Sequence, residues 1–122
     1  MNIIFAEDEL DTAITVSYVL KHSGHSVDVV NDGADALAKI QESPEHYDLL
    51  ITDHEMKRLS GLDLVNQLRD TRYRGGIIVL SAFLTWDLKE AYEAAGVKNF
   101  INKPFDVTEL REAVNVPPIH VG

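Results

Sequence analysis

The sequence predicts an α/β protein in which helices cover both faces of a doubly wound, five-stranded parallel sheet. Five short apolar or β-branched runs alternate with five stretches whose apolar residues have helical spacing, and the connections are short. Several of the runs are apolar without a break, as expected for strands that are buried on both faces. With 122 residues, 45% of them hydrophobic and 25% charged, the chain fits one globular domain around one core.

The predicted strands are residues 2–6, 26–30, 48–52, 77–80 and 97–101. The predicted helices lie within residues 12–20, 34–42, 62–70, 84–95 and 108–114. Gly24 and Gly96 follow the first and fourth helices, where glycine often ends a helix. Pro117 and Pro118 stop the last helix early. We therefore expect a domain over residues 1–115 and a loose tail, or the start of a linker, over 116–122.

The composition and charge of the chain argue against several functions. With 20 acidic and 11 basic residues, its net charge is −9, which disfavours direct binding of nucleic acid. The absence of cysteine excludes disulfides, thiolate zinc sites and a cysteine nucleophile. The first residues lack the basic segment of a signal peptide, and no apolar run is long enough to span a membrane. We expect a cytoplasmic protein without membrane contact.

Polar side chains follow four of the five predicted strands. The third strand runs directly into Asp53, which alone could also be an ordinary turn residue. In a parallel sheet the carboxyl ends of the strands share one edge, where ligands bind. Each residue taken alone could have an ordinary structural role: the acids in turns, the serine at a strand end and the lysine in solvent. These separate roles do not explain why all of them are expected at the same edge. The residues expected at this edge are Glu7, Asp8, Asp53, Ser81 and Lys103.

This set of side chains suits one kind of chemistry. Three clustered carboxylates repel one another, and a hard divalent cation, Mg²⁺ or also Mn²⁺, relieves that repulsion. One carboxylate could then attack phosphorus and form an aspartyl-phosphate, with Lys103 and Ser81 compensating the phosphoryl charge. No nucleotide-binding glycine loop is present. The five histidines show no metal-binding spacing, and we expect them at the surface, with only His54 near the site.

Four segments resemble the receiver domain of two-component response regulators, and the resemblance covers essentially the whole chain. They are residues 5–9, residues 50–53 with Met56 and Gly61, residues 79–82 and residues 100–105. The resemblance implies a flavodoxin-like strand order of 2-1-3-4-5. It also implies a phosphoacceptor that assists its own phosphotransfer and dephosphorylation and turns over no separate substrate.

The resemblance assigns a role to each site residue. Asp53 would accept a phosphoryl group from a phosphohistidine of a histidine kinase or a histidine phosphotransfer protein, in a Mg²⁺-dependent reaction. Phosphorylation would switch the surface around helix 4, strand 5 and helix 5, toward a fused or separate output domain. The implied residues are Glu7, Asp8, Asp53 and the Glu55 carbonyl for the metal; Ser81, the Ala82 N–H and Lys103 for the phosphoryl group; and Ser81 with Phe100 for the switch. The Lys103–Pro104 bond is expected to be cis.

Three positions depart from the family pattern. Lys57 stands where a proline is common, so we expect a more mobile loop after Asp53. Glu55 could approach the metal or Lys103, and the bulky Phe83 could shield the phosphoryl group from water. We therefore predict a long-lived aspartyl-phosphate controlled by Glu55 and Phe83. The short last helix makes a dimer built on helix 4, strand 5 and helix 5 doubtful, and leaves at most a weak homodimer.

The spacing of the first helix predicts a core row made of Thr12, Thr15, Val16, Val19 and Leu20. The same helix has a second apolar set, consisting of Leu10, Ala13, Ile14 and Tyr18. It is either part of a wide core stripe or a docking surface for a kinase helix, and we slightly favour docking.

Two alternative functions remain. The first is a Mg²⁺-dependent phosphatase or phosphotransferase with an aspartate nucleophile, for which Glu55 could serve as the general acid. Against it, the chain has no evident cap domain or large substrate pocket. The second is a receiver-like interaction module that is not phosphorylated, although the complete set of acids, hydroxyl and lysine speaks against that.

Overall fold

Strands and helices alternate along the chain in the computed structural model, which describes residues 1–115; the predicted tail, 116–122, lies outside the described residues. The strands are β1 (Asn2–Ala6), β2 (Ser26–Val30), β3 (Leu49–Asp53), β4 (Gly76–Ser81) and β5 (Asn99–Asn102). The helices are α1 (Leu10–His22), α2 (Gly33–Glu42), α3 (Gly61–Leu68), α4 (Trp86–Ala94) and α5 (Val107–Asn115). All ten predicted elements are present, and β1 and β2 have the predicted bounds.

The five strands form one parallel sheet in the order β2-β1-β3-β4-β5, which confirms the doubly wound, flavodoxin-like fold. Alternate residues of the central strands point to opposite faces, and each face has its own core. Ile3, Phe5 and Ile51 pack under α1 and α5, whereas Ile4 and Leu50 pack under α2 and α3. Within residues 1–115, no helix has the length and apolar character needed to cross a membrane.

The core row of α1 departs from the predicted row at Thr15. Val16, Val19 and Leu20 are buried as expected, but Thr15 is exposed, and Ala13 takes its place in the core row. Ala13 lies three residues before Val16, so it falls on the same helical face. The other members of the second apolar set, Leu10, Ile14 and Tyr18, are 71%, 58% and 65% exposed. A wide core stripe is therefore wrong, and these three side chains form a surface.

The helix α4 begins at Trp86, two residues after the predicted start. The Thr85 hydroxyl accepts a hydrogen bond from the Leu88 N–H, and this side-chain cap fixes the first turn.

The strand β5 begins at Asn99 and not at residue 97. Gly96 has a φ of +96°, a conformation that ends the preceding helix. The Val97 N–H then donates to the Tyr92 carbonyl, so Val97 belongs to the helix end although its side chain is buried.

Candidate functional site

Three buried polar side chains lie at the carboxyl edge of the central strands. Glu7 follows β1, and Asp53 and Ser81 are the last residues of β3 and β4; their exposures are 1%, 8% and 4%. Asp53 pairs with Leu80, which places its carboxylate beside the end of β4. The predicted convergence of Glu7, Asp53 and Ser81 at one edge is confirmed.

Lys103 joins two of these acids. Its ammonium donates one hydrogen bond to Glu7 Oε1 at 2.8 Å and another to Asp53 Oδ2 at 2.9 Å. The Lys103 N–H also donates to the Ser81 carbonyl, which fixes the lysine backbone at the end of β4. The Lys103–Pro104 bond is cis, as predicted.

Burial perturbs both partners of this contact. Desolvation raises the pKa of Glu7 from 4.5 to about 7; the hydrogen bond from Lys103 opposes that rise, and the nearby Asp53 carboxylate adds to it. Burial of the Lys103 ammonium disfavours its charge, but the hydrogen bonds to Glu7 and Asp53 prevail and raise its pKa. One ammonium therefore serves two acids, and the site still favours an added cation.

The residues fit a divalent cation. Glu7, Asp8 and Asp53 each offer a carboxylate oxygen, and these oxygens lie within 4.8 Å of one another. Asp8 is exposed, so an ion held here would keep water ligands, as Mg²⁺ commonly does. A cleft of about 640 Å³ opens over Asp8 and Asp53. Its lining includes Glu55, whose side chain is exposed, together with Lys57 and Ala82.

The β4–α4 connection departs from one expectation. The Ser81 hydroxyl accepts a hydrogen bond from the Phe83 N–H at 3.2 Å, which holds the turn close to the site. However, the Phe83 ring is 74% exposed and is not among the residues that line the cleft. In this conformation, therefore, Phe83 does not shield Asp53. The side chain follows the end of a strand, where the chain turns outward, and sequence could not show its direction.

Phe100 lies two residues before the end of β5 and pairs with Val79 of β4. Its half-buried ring meets the ring of Tyr92 edge-on, with 6.0 Å between the centroids. The Lys89 ammonium lies 5.7 Å from the centroid of the same ring. Phe100 is thus in contact with α4, on the face of the sheet that α3 and α4 cover.

The loop between β3 and α3, which we expect to be mobile because of Lys57, is connected to the start of α2 by two ion pairs. Arg58 has a φ of +67° and forms ion pairs of 2.9 Å with Asp32 and with Asp35, at the start of α2. Positive φ is uncommon for a residue with a Cβ, so these ion pairs hold the loop in an otherwise unfavourable conformation.

Two residues near the site were missed or misplaced by sequence reasoning. His54 is half-buried and not at the surface, because its Nδ1 is 2.7 Å from the hydroxyl of the fully buried Tyr92. Tyr92 lies four residues after Leu88 in the apolar row of α4, and that spacing could have indicated its burial. No local pattern pairs it with His54.

The chain matches the family model described as response regulator receiver domain over residues 3–115. It is 34% identical to the two-component response regulator PhoP of Pseudomonas aeruginosa over 94% of this chain and 50% of that protein. It is 36% identical to the response regulator ArlR of Staphylococcus epidermidis over 89% of this chain and 48% of that protein. The chain thus spans about half the length of these relatives.

The fold is also similar to that of solved receiver domains. The receiver domain of the Francisella response regulator 1452 superimposes with a TM-score of 0.84 at 27% identity, over 94% of this chain and 93% of that one. The acidic edge and its lysine, the strand order and the family match agree with one another. The chain therefore belongs to the receiver domains of two-component response regulators, which are phosphoacceptor signalling domains.

Proposed function

We propose that Asp53 accepts a phosphoryl group from a phosphohistidine on a histidine kinase or a histidine phosphotransfer protein. The observation that supports this most strongly is the position of Lys103, whose ammonium contacts both Asp53 and Glu7. A buried carboxylate at a strand end, with a lysine on one side and a possible cation site on the other, is arranged for attack on a charged phosphoryl group.

The reaction forms one bond and breaks one. An oxygen of Asp53 bonds to phosphorus while the bond between phosphorus and the imidazole nitrogen of the donor breaks, and that imidazole leaves with the electron pair and takes up a proton. The Lys103 ammonium, the Ser81 hydroxyl and the Ala82 N–H would donate to the phosphoryl oxygens. Mg²⁺ would neutralise charge on the transferring group. Its ligands would be Asp8 and Asp53 directly, Glu7 through water, and the main-chain carbonyl of Glu55.

Phosphorylation would then reorganise one face of the molecule. The Ser81 hydroxyl, which now accepts from the Phe83 N–H, would turn to donate to the phosphoryl group. Phe100 is half-buried beside β4 and would turn further inward into the space that this opens. We infer that the surface formed by α4, β5 and α5 changes as a result and is recognised by an output domain, fused or separate.

Two residues close to the site would govern the loss of the phosphoryl group. Glu55 lines the cleft, the Phe83 N–H donates to the Ser81 hydroxyl, and both residues are proposed to control dephosphorylation.

We propose Leu10, Ile14 and Tyr18 as the surface that receives the donor. These side chains are more than half exposed and follow the acidic loop after β1, close to the site. An exposed apolar row on a helix suits packing against a helix of the partner. We propose residues 1–115 as the receiver domain, and the net charge of −9 disfavours direct nucleic-acid binding by this chain.

Ile14→Glu tests this surface. A charge in the apolar row should slow phosphotransfer from the cognate kinase by about tenfold or more. Phosphorylation by a small-molecule donor should be unchanged in the same variant, because the strand-end residues are untouched. Equal rates with the kinase for wild type and variant would show that the donor docks elsewhere.

Binding of beryllofluoride with Mg²⁺ separates the proposed function from its alternatives. A receiver domain should bind this phosphoryl mimic, and Asp53→Asn should lose the binding. Failure of the wild-type protein to bind would favour an unphosphorylated interaction module. Repeated turnover of a phosphomonoester would favour a phosphatase.

A further inference from the structure

Tyr92 places a hydroxyl group inside the apolar layer between the sheet and α4. The residue is 0% exposed and packs with Val65, Val79 and Val97. Among the hydrogen bonds of residues 1–115, that hydroxyl has a single partner, Nδ1 of His54 at 2.7 Å. Burial raises the pKa of Tyr92, so the hydroxyl keeps its proton. A buried hydroxyl with one partner binds that partner strongly, because water does not compete for it.

His54 is the first residue after the phosphoacceptor, and its backbone is already held on two sides. Its N–H donates to the Leu80 carbonyl at 3.3 Å, and its carbonyl accepts from the Gly61 N–H at 3.0 Å. The loop of residues 54–60 therefore starts and closes at His54. This loop contains Glu55 and Lys57, which line the cleft over Asp53.

Gly61 shows how closely the tyrosine approaches this closure. A Cβ at position 61 would lie 2.6 Å from the Tyr92 hydroxyl and 2.5 Å from the Asp53 carbonyl. Glycine is required here because the hydroxyl and the end of β3 both press against the first residue of α3. The position of Tyr92 is thus linked to the backbone of Asp53 as well as to the His54 ring.

The Tyr92 ring also meets Phe100. The His54 and Phe100 rings are both edge-on to Tyr92, with centroid distances of 5.6 Å and 6.0 Å. Protein interiors are close-packed, so a rotation of the Phe100 ring displaces the ring that it touches. A displacement of Tyr92 lengthens or bends its hydrogen bond to His54, because the hydroxyl is fixed at the end of the same rigid ring.

We propose that Tyr92 is a positioning residue that couples the state of Phe100 to the loop over Asp53 through its hydrogen bond to His54. This rests on the proposed function, in which Asp53 is phosphorylated. The hydrogen bond holds the loop of residues 54–60 in place for binding at the site. Because coupling is reciprocal, a partner that holds Phe100 in one state also changes the affinity of the site for the phosphoryl group.

The experiment is a double-mutant cycle on beryllofluoride affinity in the presence of Mg²⁺, with Tyr92→Phe, Phe100→Ala and the double variant. Tyr92→Phe keeps the ring and removes only the hydroxyl, and it should weaken binding by about fivefold. Phe100→Ala should change the affinity in the wild-type background and have a much smaller effect in the Tyr92→Phe background. His54→Leu removes the other partner of the same hydrogen bond, which is only half-buried. This variant replaces Tyr92→Phe in the cycle if Tyr92→Phe does not fold.

Tyr73→Phe is the matched control. Its hydroxyl is also in a buried tyrosine and donates to the Gly76 carbonyl at 2.7 Å, at the opposite edge of the sheet. This variant loses a comparable hydrogen bond and should keep wild-type beryllofluoride affinity. A spectroscopic measurement separates coupling from lost stability: Phe100→Ala should shift the ring nitrogen resonances of His54 in the wild-type background and not in Tyr92→Phe.

Several results would overturn the inference. They are independent effects of the two substitutions, an unchanged or tighter affinity in Tyr92→Phe, an equal loss of affinity in Tyr73→Phe, or His54 resonances that ignore Phe100. Failure of the wild-type protein to bind beryllofluoride is a different result, because it contradicts the proposed function itself.

Discussion

Glu7 is the residue whose burial has the clearest energetic consequence. Its side chain has no exposed surface and its pKa is raised from 4.5 to about 7, so its charged form destabilises the fold. Between these two pH values the folded chain binds more protons than the unfolded chain, and the free energy of unfolding falls as the pH rises. This contribution is fully lost only above pH 7.

Glu7→Gln tests this account, because glutamine keeps the shape and removes the titration. Without divalent metal, the stability of the variant relative to wild type should rise by about 2 to 3 kcal/mol from pH 4 to pH 8. Urea unfolding of both proteins at several pH values measures the difference. A constant difference across this range would show that the Glu7 carboxyl is not perturbed by burial.

Glu55 and Phe83 are proposed to set the lifetime of the aspartyl-phosphate, and the structure separates their roles. Glu55 lines the cleft, whereas Phe83 must leave its exposed position before it can shield the phosphoryl group. We expect severalfold faster decay in Glu55→Ala and a smaller acceleration in Phe83→Ala, measured after removal of the phosphodonor. If neither variant loses the phosphoryl group faster, both residues are without influence on its lifetime.

At the scale of elements, the start of α2 is stabilised by its own N-cap residue and by an ion pair with the loop between β3 and α3. Asp32 caps α2 by accepting the Asp35 N–H at 2.8 Å, and it also pairs with Arg58. The hydrogen bond from Arg58 holds the pKa of Asp32 below its usual 3.8. A depressed pKa adds stability above pH 3.8, and this is lost as the pH falls through the folded-state value.

Asp32→Ala should lower the free energy of unfolding at neutral pH by about 1 kcal/mol, the usual cost of a lost N-cap. The difference from wild type should shrink in acid, where Asp32 is protonated. Asp32→Asn keeps a good cap and removes only the charge, so it should cost less than half as much. Equal losses in the two variants would mean that the ion pair, and not the cap, stabilises this end of α2.

The elements could be predicted from the sequence because apolar runs and helical rows depend on local spacing. Residues 2–6 and 26–30 have exact bounds for this reason, since polar residues end both runs sharply. The start of β5 could not be predicted from hydrophobicity, because Val97 is buried within a helix end. Its position depends on the φ of Gly96 and on a hydrogen bond between backbone groups.

The site was predictable to a similar degree. Parallel topology alone brings Glu7, Asp53 and Ser81 to one edge, and strand ends can be found in a sequence. The contacts of Lys103 depend on side-chain directions that no spacing determines. The hydrogen bond between His54 and Tyr92 joins residues 38 positions apart across two layers, so only the folded structure could reveal it.

At the scale of the whole molecule, the main electrostatic feature is the repulsion among the carboxylates at the carboxyl edge of the sheet. A chain with a net charge of −9 gathers three carboxylates at one edge and supplies one half-buried ammonium against them. Such a site would gain stability from a bound cation, and its ammonium would compensate the charge of a phosphoryl group. The proposed phosphotransfer therefore depends on all the side chains at this sheet edge together.

The most direct test of this account is phosphotransfer from a phosphohistidine donor, followed by intact mass measurement with and without Mg²⁺. We predict one phosphoryl group per chain, at Asp53 by peptide mapping, with Mg²⁺ required and with no labelling of Asp53→Asn. Lys103→Ala should be labelled much more slowly, because the phosphoryl oxygens lose their ammonium partner. Undiminished labelling of Asp53→Asn, or no labelling of the wild-type chain by any phosphohistidine donor, would contradict the account.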